Sequence, residues 1–167
     1  MPTPDDKSPA PALKEMFDAA RFRSVARELK TIDAAFDAKK FLKFALSGLD
    51  DLSLMKRLRR MTESLHATLP ADYHAALDPL RALAPRIDKA FVTLVLPDFV
   101  GCYGLNHFDA SMAALELFTP FGSSEFAIRR FLRRDLKRTL GVMCQWSLDK
   151  DEHVRRLASE GCRPRLP

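Results

Sequence analysis

The sequence predicts an all-α protein built from short helical hairpins. Apolar residues recur at spacings of three and four along nearly the whole 167-residue chain, as they do on the buried face of an α-helix. Asp and Ser residues stand just before several of these apolar stripes, in the position of a helix N-cap. The chain has no Asn-Gly or similar two-residue turn of the kind that joins β-strands.

Two helices are predicted before residue 37. The first follows Pro11, and the second begins near Arg21, where the apolar pattern either breaks or continues without interruption. Residues 1–9 are rich in Pro and acidic residues, which predicts a flexible leader followed by a single helical domain over residues 10–167. The two apolar stripes are Leu13, Met16, Phe17 and Ala20, then Phe22, Val25, Ala26 and Leu29.

Three further helices are predicted between residues 37 and 84. Asp37 is expected to cap a helix that ends at Gly48, a residue suited to a left-handed C-terminal position. Ser53 begins the longest amphipathic stretch, which closes at Pro70. Asp72 would cap the third helix.

The segment between Pro85 and Pro97 is ambiguous. Residues 90–96 contain enough β-branched side chains for a strand, but a lone strand would have no partner. We therefore predict a buried helix that Pro97 stops.

The last third of the chain predicts four helices. Asp109 would cap the first, Ser123 or Ser124 would begin the second, the third spans residues 136–147, and Asp151 would cap the fourth. Helix pairs of this size, at a period near 40 residues, are typical of HEAT-like or armadillo-like solenoids. A compact irregular bundle is the alternative.

The net charge of +5 is concentrated near the end of the sequence. Residues 1–122 contain 16 basic and 16 acidic residues, whereas residues 123–167 contain 11 basic and 6 acidic ones. Such asymmetry indicates a polyanionic partner. We expect nucleic acid rather than an acidic membrane, because no apolar insertion face accompanies the charge.

The cysteines and apolar runs indicate a cytoplasmic protein. Cys102, Cys144 and Cys162 are odd in number and widely spaced, which fits a reducing compartment better than a disulfide framework. The longest apolar run, residues 90–96, is too short to span a bilayer. Residues 1–9 lack the apolar segment of a signal peptide.

A regular spacing of charges marks the last predicted helix. Glu152, Arg156 and Glu160 are four residues apart and would lie on one helical face. The plain interpretation is a ladder of ion pairs, each contributing about 0.3–0.5 kcal/mol. A functional role for these residues is the alternative.

The sequence around this helix resembles a known family. The run from Glu152, Glu-His-Val-Arg-Arg-Leu-Ala-Ser-Glu-Gly-Cys-Arg-Pro-Arg-Leu-Pro, preceded by Ser-Ser-Glu-Phe-Ala-Ile-Arg at residues 123–129, is similar to the AlkC branch of the AlkC/AlkD DNA alkylation-repair glycosylases. Residues 96–105 and 108–109 also resemble that family, and residues 12–17 do so more loosely. The resemblance therefore covers nearly the whole chain.

The resemblance implies a HEAT-like solenoid whose concave, basic surface holds duplex DNA in the bacterial cytosol or nucleoid. Such enzymes act in base-excision repair and remove cationic N-alkylated bases, with 3-methylcytosine and 1-methyladenine as the substrates of this branch. The resemblance implies that no metal or cofactor is needed and that the base is not flipped into a deep pocket.

The resemblance also assigns the site residues. Glu125 and Glu160 would be the active-site carboxylates, and Arg156 would accompany them at the lesion. A cationic base departs as a neutral molecule, so no general acid is required. What remains is positive charge developing on the deoxyribose, which a nearby carboxylate stabilises while it orients or deprotonates the attacking water.

The basic residues around these acids are predicted to contact DNA phosphates. The alternative is that they form a solvated polar face without a ligand, but the local excess of positive charge favours contact with phosphates. Residues 56–60 contain a second basic cluster in charge-neutral surroundings, for which a solvated face is favoured. The predicted DNA-binding residues are Arg129, Arg130, Arg133, Arg134, Lys137, Arg138, Arg155, Arg163 and Arg165.

Other functional sites are not predicted. Cys144, His153 and Cys162 lack a C-x-x-C pair, so a zinc site is not expected. Trp146 lies among apolar residues and is expected in the core rather than as a platform for base stacking.

The family comparison predicts that the chain is truncated at Pro167, where the relatives continue with further helices. The final repeat would then lack a cap and expose apolar surface, which suggests self-association. A non-catalytic HEAT-like module for DNA binding or interaction is therefore the alternative to an active glycosylase.

Overall fold

The computed structural model describes residues 16–87 and 91–163, and most of this part is helical. It contains no β-strand, which confirms the all-α prediction for the described residues. The predicted leader, residues 1–9, and Leu13 of the first predicted helix lie outside them. The nine α-helices found there are α1 (Ala19–Ile32), α2 (Ala38–Leu46), α3 (Leu54–His66), α4 (Tyr73–Leu83), α5 (Val95–Tyr103), α6 (Phe108–Phe118), α7 (Glu125–Arg134), α8 (Leu136–Trp146) and α9 (Glu152–Glu160).

The helices pack in two layers. In the first layer, α3 lies against α5 and α5 against α7. The C-terminal end of α9 lies beside α7, because Gly161 approaches the side chain of Ile128. In the second layer, α1 lies against α4 and α4 against α6, while α2 packs on α1 and α3, and α8 on α7 and α9. This stacking of helical hairpins is the predicted repeat architecture, and the irregular bundle was the wrong alternative.

Aromatic side chains fill the space between the layers. Phe22, Phe41, Phe99 and Phe131 are each at most 1% exposed. Trp146 is buried too, and its Nε1 donates a hydrogen bond to Glu116 Oε2 at 2.9 Å. The prediction that Trp146 belongs to the core is confirmed.

Most of the predicted helix boundaries are confirmed by their capping bonds. The carboxylates of Asp37, Asp72 and Asp151 each accept a backbone N–H from the first turn of α2, α4 and α9. Gly48 follows α2 with φ of 62°, the left-handed conformation expected of it. Ser53 precedes α3 as predicted, although its side chain makes no capping bond, and α1 is one residue longer than α3.

The break predicted near Arg21 lies three residues earlier, at Asp18, whose Oδ1 accepts the N–H of Arg21 at 2.7 Å. Two predicted boundaries were wrong. Pro97 does not stop a helix but stands in the first turn of α5, where its missing N–H is not needed. The ambiguous segment therefore begins with a 3₁₀ turn, Phe91–Leu94, that continues into α5; Ala90 lies outside the described residues. Asp109 does not cap α6, because His107 holds the N-cap position and Asp109 is already in the first turn.

A chain of buried hydroxyl groups ties α4 to α5 and α6. Ser111 Oγ donates to the carbonyl of Gly104 at 2.8 Å, so Tyr73 Oη donates to Ser111 Oγ, also at 2.8 Å. A Cβ at Gly104 would come within 2.3 Å of both hydroxyl oxygens, which only glycine avoids. Burial raises the pKa of Tyr73 above its ordinary value of 10.

Candidate active site and DNA interface

The loop before α7 fixes the position of Glu125. Ser124, the N-cap residue, is fully buried, and its Oγ lies 2.8 Å from Thr119 Oγ1 at the end of α6. Glu125 is therefore held as the first residue of α7, where the helix dipole favours a negative charge. No described residue donates a hydrogen bond to its carboxylate or forms an ion pair with it.

Glu125 lines a cleft with residues of α9. The cleft has a volume of ≈ 180 Å³ and is lined by Phe121 and Ser123 of the loop and by His153 and Arg156 of α9. The first predicted carboxylate and the predicted companion arginine therefore line the same cleft.

Arg156 also pairs with the second predicted carboxylate. Its Nε lies 2.7 Å from Glu160 Oε2, and the Glu160 side chain is 24% exposed. Arg163 approaches the other oxygen of Glu160 at 4.0 Å. Glu152 makes no ion pair with Arg156 among the described residues, so the predicted ladder has one rung on α9 rather than two. Of the three residues predicted for the active site, Glu125 and Arg156 thus share a cleft, and Arg156 and Glu160 form an ion pair.

Two of the predicted phosphate-binding arginines are fastened to backbone carbonyls. Arg129 Nη2 donates to the carbonyl of Arg163 at 2.8 Å, across α7 and the end of α9. Its Nε is buried without a hydrogen-bond partner in the described part of the chain. Arg130 donates to the carbonyl of Gly101 at 3.2 Å and contacts Cys102 Sγ.

The remaining basic residues of α7 and α8 differ in their partners. Arg133 and Lys137 are exposed and have no hydrogen-bond or ion-pair partner among residues 16–87 and 91–163. Arg134 donates to Asn106 Oδ1 at 2.7 Å. Arg138 pairs with Asp109 at 2.7 Å and lies over the ring of Phe108, 4.0 Å from its centroid. The predicted phosphate-binding residues of α7 and α8 therefore include two kinds of cation. Arg133 and Lys137 are available to a ligand, whereas Arg134 and Arg138 already contact α6 or the loop before it.

The predicted residues near the end of the sequence are also engaged. Arg155 Nη1 donates to the carbonyls of Asp149 and Lys150, at 2.7 and 2.9 Å, and so braces the loop before α9. Arg163 lies beside Glu160, as described above. Arg165 lies outside the described residues.

A groove of ≈ 260 Å³ crosses α3, α5 and α7. The cationic residues Arg59, Arg130 and Arg133 line it together with the exposed apolar side chains of Met55 and Phe126. The apolar pattern predicts Phe126 within the buried stripe of α7, but its ring is 63% exposed. The buried stripe of α7 consists of Ala127, Ile128 and Phe131, which are spaced by three and four residues. Phe126 does not fit that spacing, so a helical wheel would have identified it as exposed.

The second basic cluster, residues 56–60, is not a uniform solvated face. Arg57 is only 5% exposed and donates to the carbonyls of Leu52 and Phe17. Arg59 pairs with Asp98 at 3.0 Å and contacts the Cys102 thiol. Arg60 donates to carbonyls at the end of α2.

No metal-binding or membrane-spanning feature occurs in the described part of the chain. No three His, Cys, Asp or Glu side chains converge there in a way that would hold a metal ion. None of the described helices is long and apolar enough to cross a bilayer.

Known proteins with the same arrangement identify the family. The Pseudomonas fluorescens alkylpurine DNA glycosylase AlkC, solved bound to DNA containing an abasic site analogue, is 57% identical and superposes with a TM-score of 0.91 over 95% of this chain. The chain belongs to the AlkC-type family. It is also 42% identical over 156 residues to the uncharacterised protein YhaZ of Bacillus subtilis strain 168.

The chain matches only part of the length of these AlkC-type relatives. The chain covers 44% of the Pseudomonas protein and 43% of YhaZ, so it spans less than half the length of each relative. No protein-family profile matches the chain.

Proposed function

We propose that this AlkC-type chain contributes catalytic carboxylates and DNA-binding surface to a glycosylase that removes cationic N-alkylated bases from duplex DNA in base-excision repair. The observation that supports the proposal is that Glu125 and Arg156 line one cleft, while Arg156 also forms an ion pair with Glu160. A surface that only held phosphates would be weakened by two carboxylates, because they repel the DNA backbone.

The two acids suit the chemistry of a cationic leaving group. The N-glycosidic bond breaks with both electrons passing to the base, which leaves as a neutral molecule without being protonated. Positive charge then develops on the deoxyribose, and a carboxylate held beside it lowers the energy of that state. A water molecule adds to the sugar and loses its proton to the same or the neighbouring carboxylate.

Glu125 is the better placed of the two acids for this role in the free protein. Its carboxylate has no partner among the described residues, whereas that of Glu160 is bound by Arg156. Arg156 is 67% exposed, so its guanidinium also remains accessible to a DNA phosphate or to the lesion. We propose that Arg156 holds Glu160 in place and offsets the repulsion between the acids and the DNA backbone.

The surroundings fit a duplex substrate. Arg133 and Lys137 are exposed cations available to phosphates, and the exposed ring of Phe126 adjoins Glu125 in the sequence. An apolar ring that projects beside a cationic groove can enter between base pairs and help to expose a damaged nucleotide. The substrates that we propose are 3-methylcytosine and 1-methyladenine, whose N-alkylated rings carry positive charge.

The proposal is tested by excision from defined duplexes. The chain is incubated under single-turnover conditions with DNA that carries one 3-methylcytosine or one 1-methyladenine, and abasic sites are then cleaved with hot alkali. We expect strand products with the wild type and a loss of about 100-fold or more in rate with Glu125→Gln. Because the Pseudomonas relative is an alkylpurine glycosylase, the two lesions distinguish a purine substrate from a pyrimidine one. Wild-type product no greater than that of Glu125→Gln would refute the proposal.

A non-catalytic DNA-binding module is the second candidate function. The observation in its favour is that Arg156 and Glu160 form an ordinary ion pair between residues four apart on one helix. This function predicts salt-sensitive binding to any duplex, with equal affinity for undamaged DNA and DNA that contains a lesion.

A further inference from the structure

The cleft between α2 and α3 combines free cations with an exposed aromatic ring. It has a volume of ≈ 470 Å³ and shares α3 with the groove described above, although different residues of that helix line the two cavities. Its lining includes Lys40, Lys43 and Phe44 of α2 and Arg60 of α3. Together with Lys56 on α3, the cationic residues Lys40, Lys43 and Arg60 are named here the α2–α3 cluster.

The cations of the α2–α3 cluster keep their full charge. Lys40, Lys43 and Lys56 are exposed, and none has an ion-pair or hydrogen-bond partner for its ammonium group in the described part of the protein. Arg60 donates only to the carbonyls of Phe44 and Ser47, which carry no net charge. Its guanidinium also lies over the half-exposed ring of Phe44, 5.6 Å from the centroid.

Two carboxylates lie close to the α2–α3 cluster. Asp37 caps α2, where its Oδ1 accepts the N–H of Lys40 at 2.9 Å. Glu63 is the acidic residue that lines the cleft. The four cations of the cluster outnumber these two carboxylates, so the surface is locally positive although residues 1–122 are neutral as a whole.

This surface continues the cationic side of the first layer. Arg59, on the same helix as Arg60, lines the groove that also contains Arg130 and Arg133 of α7. Neighbouring helices lie about 8–10 Å apart, so two steps from α7, which carries Glu125, through α5 reach α3 over about 16–20 Å. That span corresponds to roughly five to six base pairs of duplex at about 3.4 Å each.

We propose that the α2–α3 cluster binds phosphates of the DNA flank, about five to six base pairs from the site that contains Glu125. This inference rests on the proposed function, because it takes duplex DNA as the ligand of the first layer. The cluster would add affinity and fix the register of the duplex, without contacting the reacting nucleotide.

The test compares duplexes of two lengths that each carry a central abasic-site analogue. Affinity is measured by fluorescence anisotropy for a 10-base-pair and a 24-base-pair duplex, at several salt concentrations. We expect the wild type to bind the longer duplex at least 10-fold more tightly. In Lys40→Glu/Lys43→Glu this gain should disappear, and the slope of log Kd against log salt should fall by about two. Lys56→Glu should reduce the gain partially.

A matched control carries the same change of charge on another face. Arg23→Glu/Arg27→Glu reverses two exposed arginines of α1, a helix that lines neither the α2–α3 cleft nor the groove over α3, α5 and α7. This variant should keep the gain in affinity with duplex length. A gain that is equal in the wild type and in Lys40→Glu/Lys43→Glu, or one that the α1 control loses equally, would overturn the inference.

The outcome is separable from that of the proposed function. Excision of alkylated bases is measured with saturating protein, where a loss of flank binding does not limit the rate. If affinity rises with duplex length but no base is excised, the α2–α3 cluster would stand as a DNA contact and the glycosylase proposal would be rejected. If the protein excises alkylated bases but Lys40→Glu/Lys43→Glu does not alter DNA binding, the glycosylase proposal would stand and the α2–α3 cluster would be rejected as a DNA contact.

Discussion

The Nε atom of Arg156 lies 2.7 Å from Oε2 of Glu160, and the two residues stand one turn apart on α9. Both ends of this pair reach solvent, so water screens their attraction. An exposed pair of this kind contributes about 0–1 kcal/mol to stability. Substitution of Glu160 should therefore separate an effect on catalysis from an effect on folding.

Glu160→Gln is expected to leave the melting temperature nearly unchanged and to lower the single-turnover rate of excision by about 100-fold. The amide keeps the shape of the side chain but cannot stabilise positive charge on the sugar. Glu152→Gln is the control, because Glu152 lies in the first turn of the same helix without an ion pair to Arg156. Equal rates for the two variants would remove Glu160 from the catalytic assignment.

Arg133 and Arg138 should differ in what they contribute. Arg133 has no partner within the described residues, so Arg133→Ala should weaken duplex binding and lower the slope of log Kd against log salt by about one. Arg138 is paired with Asp109 and stacked on Phe108. For Arg138→Ala we therefore expect a smaller loss of affinity and a measurable loss of thermal stability. Titration of both variants with the same undamaged duplex makes the comparison, and an equal change of slope would contradict it.

Two glycines should respond in opposite ways to an added methyl group. In Gly104→Ala the Cβ would meet Tyr73 Oη and Ser111 Oγ at 2.3 Å, and the carbonyl oxygen of Val100 at 2.7 Å. We expect a loss of about 1–3 kcal/mol in the free energy of unfolding. Gly141 lies inside α8, and an added Cβ there would meet nothing within 4 Å, so Gly141→Ala should gain about 0.5–1 kcal/mol. Urea denaturation of the two variants provides the measurement.

Alkaline pH should destabilise the fold through Tyr73. Burial raises its pKa in the native state above the unfolded value of 10. The native state thus keeps its proton where the unfolded chain begins to lose it, so the contribution to stability is complete below pH 10 and declines as the pH rises above it. In Tyr73→Phe the melting temperature should fall less between pH 9 and pH 11 than in the wild type. Absorbance titration at alkaline pH can follow the ionisation directly, because the chain has only 2 tyrosines.

We expect that any self-association of this chain depends on Leu136, an exposed apolar residue at the start of α8. Its side chain is 59% exposed beside a cleft of ≈ 340 Å³ that Leu132 and Leu140 also line, near Gly161 at the end of α9. Leu136→Glu should shift a concentration-dependent dimer toward monomer, as measured by sedimentation velocity. Leu148→Glu, which changes an 87% exposed leucine in the loop after α8, is the control.

Local chemistry made much of the fold predictable. Asp37, Asp72 and Asp151 were identified as caps because the bond from a carboxylate to the first turn depends only on residues two or three positions away. Pro97 misled the prediction because proline is disfavoured inside a helix and favoured in its first turn, and the sequence does not state which turn it occupies.

The site was less accessible to sequence reasoning than the helices. The resemblance named Glu125, Arg156 and Glu160, but it could not indicate that Arg156 would line a cleft with Glu125. The partners of Arg134 and Arg138 lie 28 and 29 residues away, across a packing of helices that periodicity does not specify. The basic residues 56–60 look alike in the sequence, yet burial separates Arg57 from the rest.

The arginines that donate to backbone carbonyls have a consequence for binding entropy. Arg60, Arg129, Arg130 and Arg155 are each held by an acceptor without net charge, so they are immobilised without being neutralised. A long side chain that is fixed only when its ligand arrives loses about 0.5–1.5 kcal/mol of conformational freedom at that moment. For these four residues that loss occurs during folding. These four guanidinium groups are therefore preorganised for an anionic ligand before it arrives.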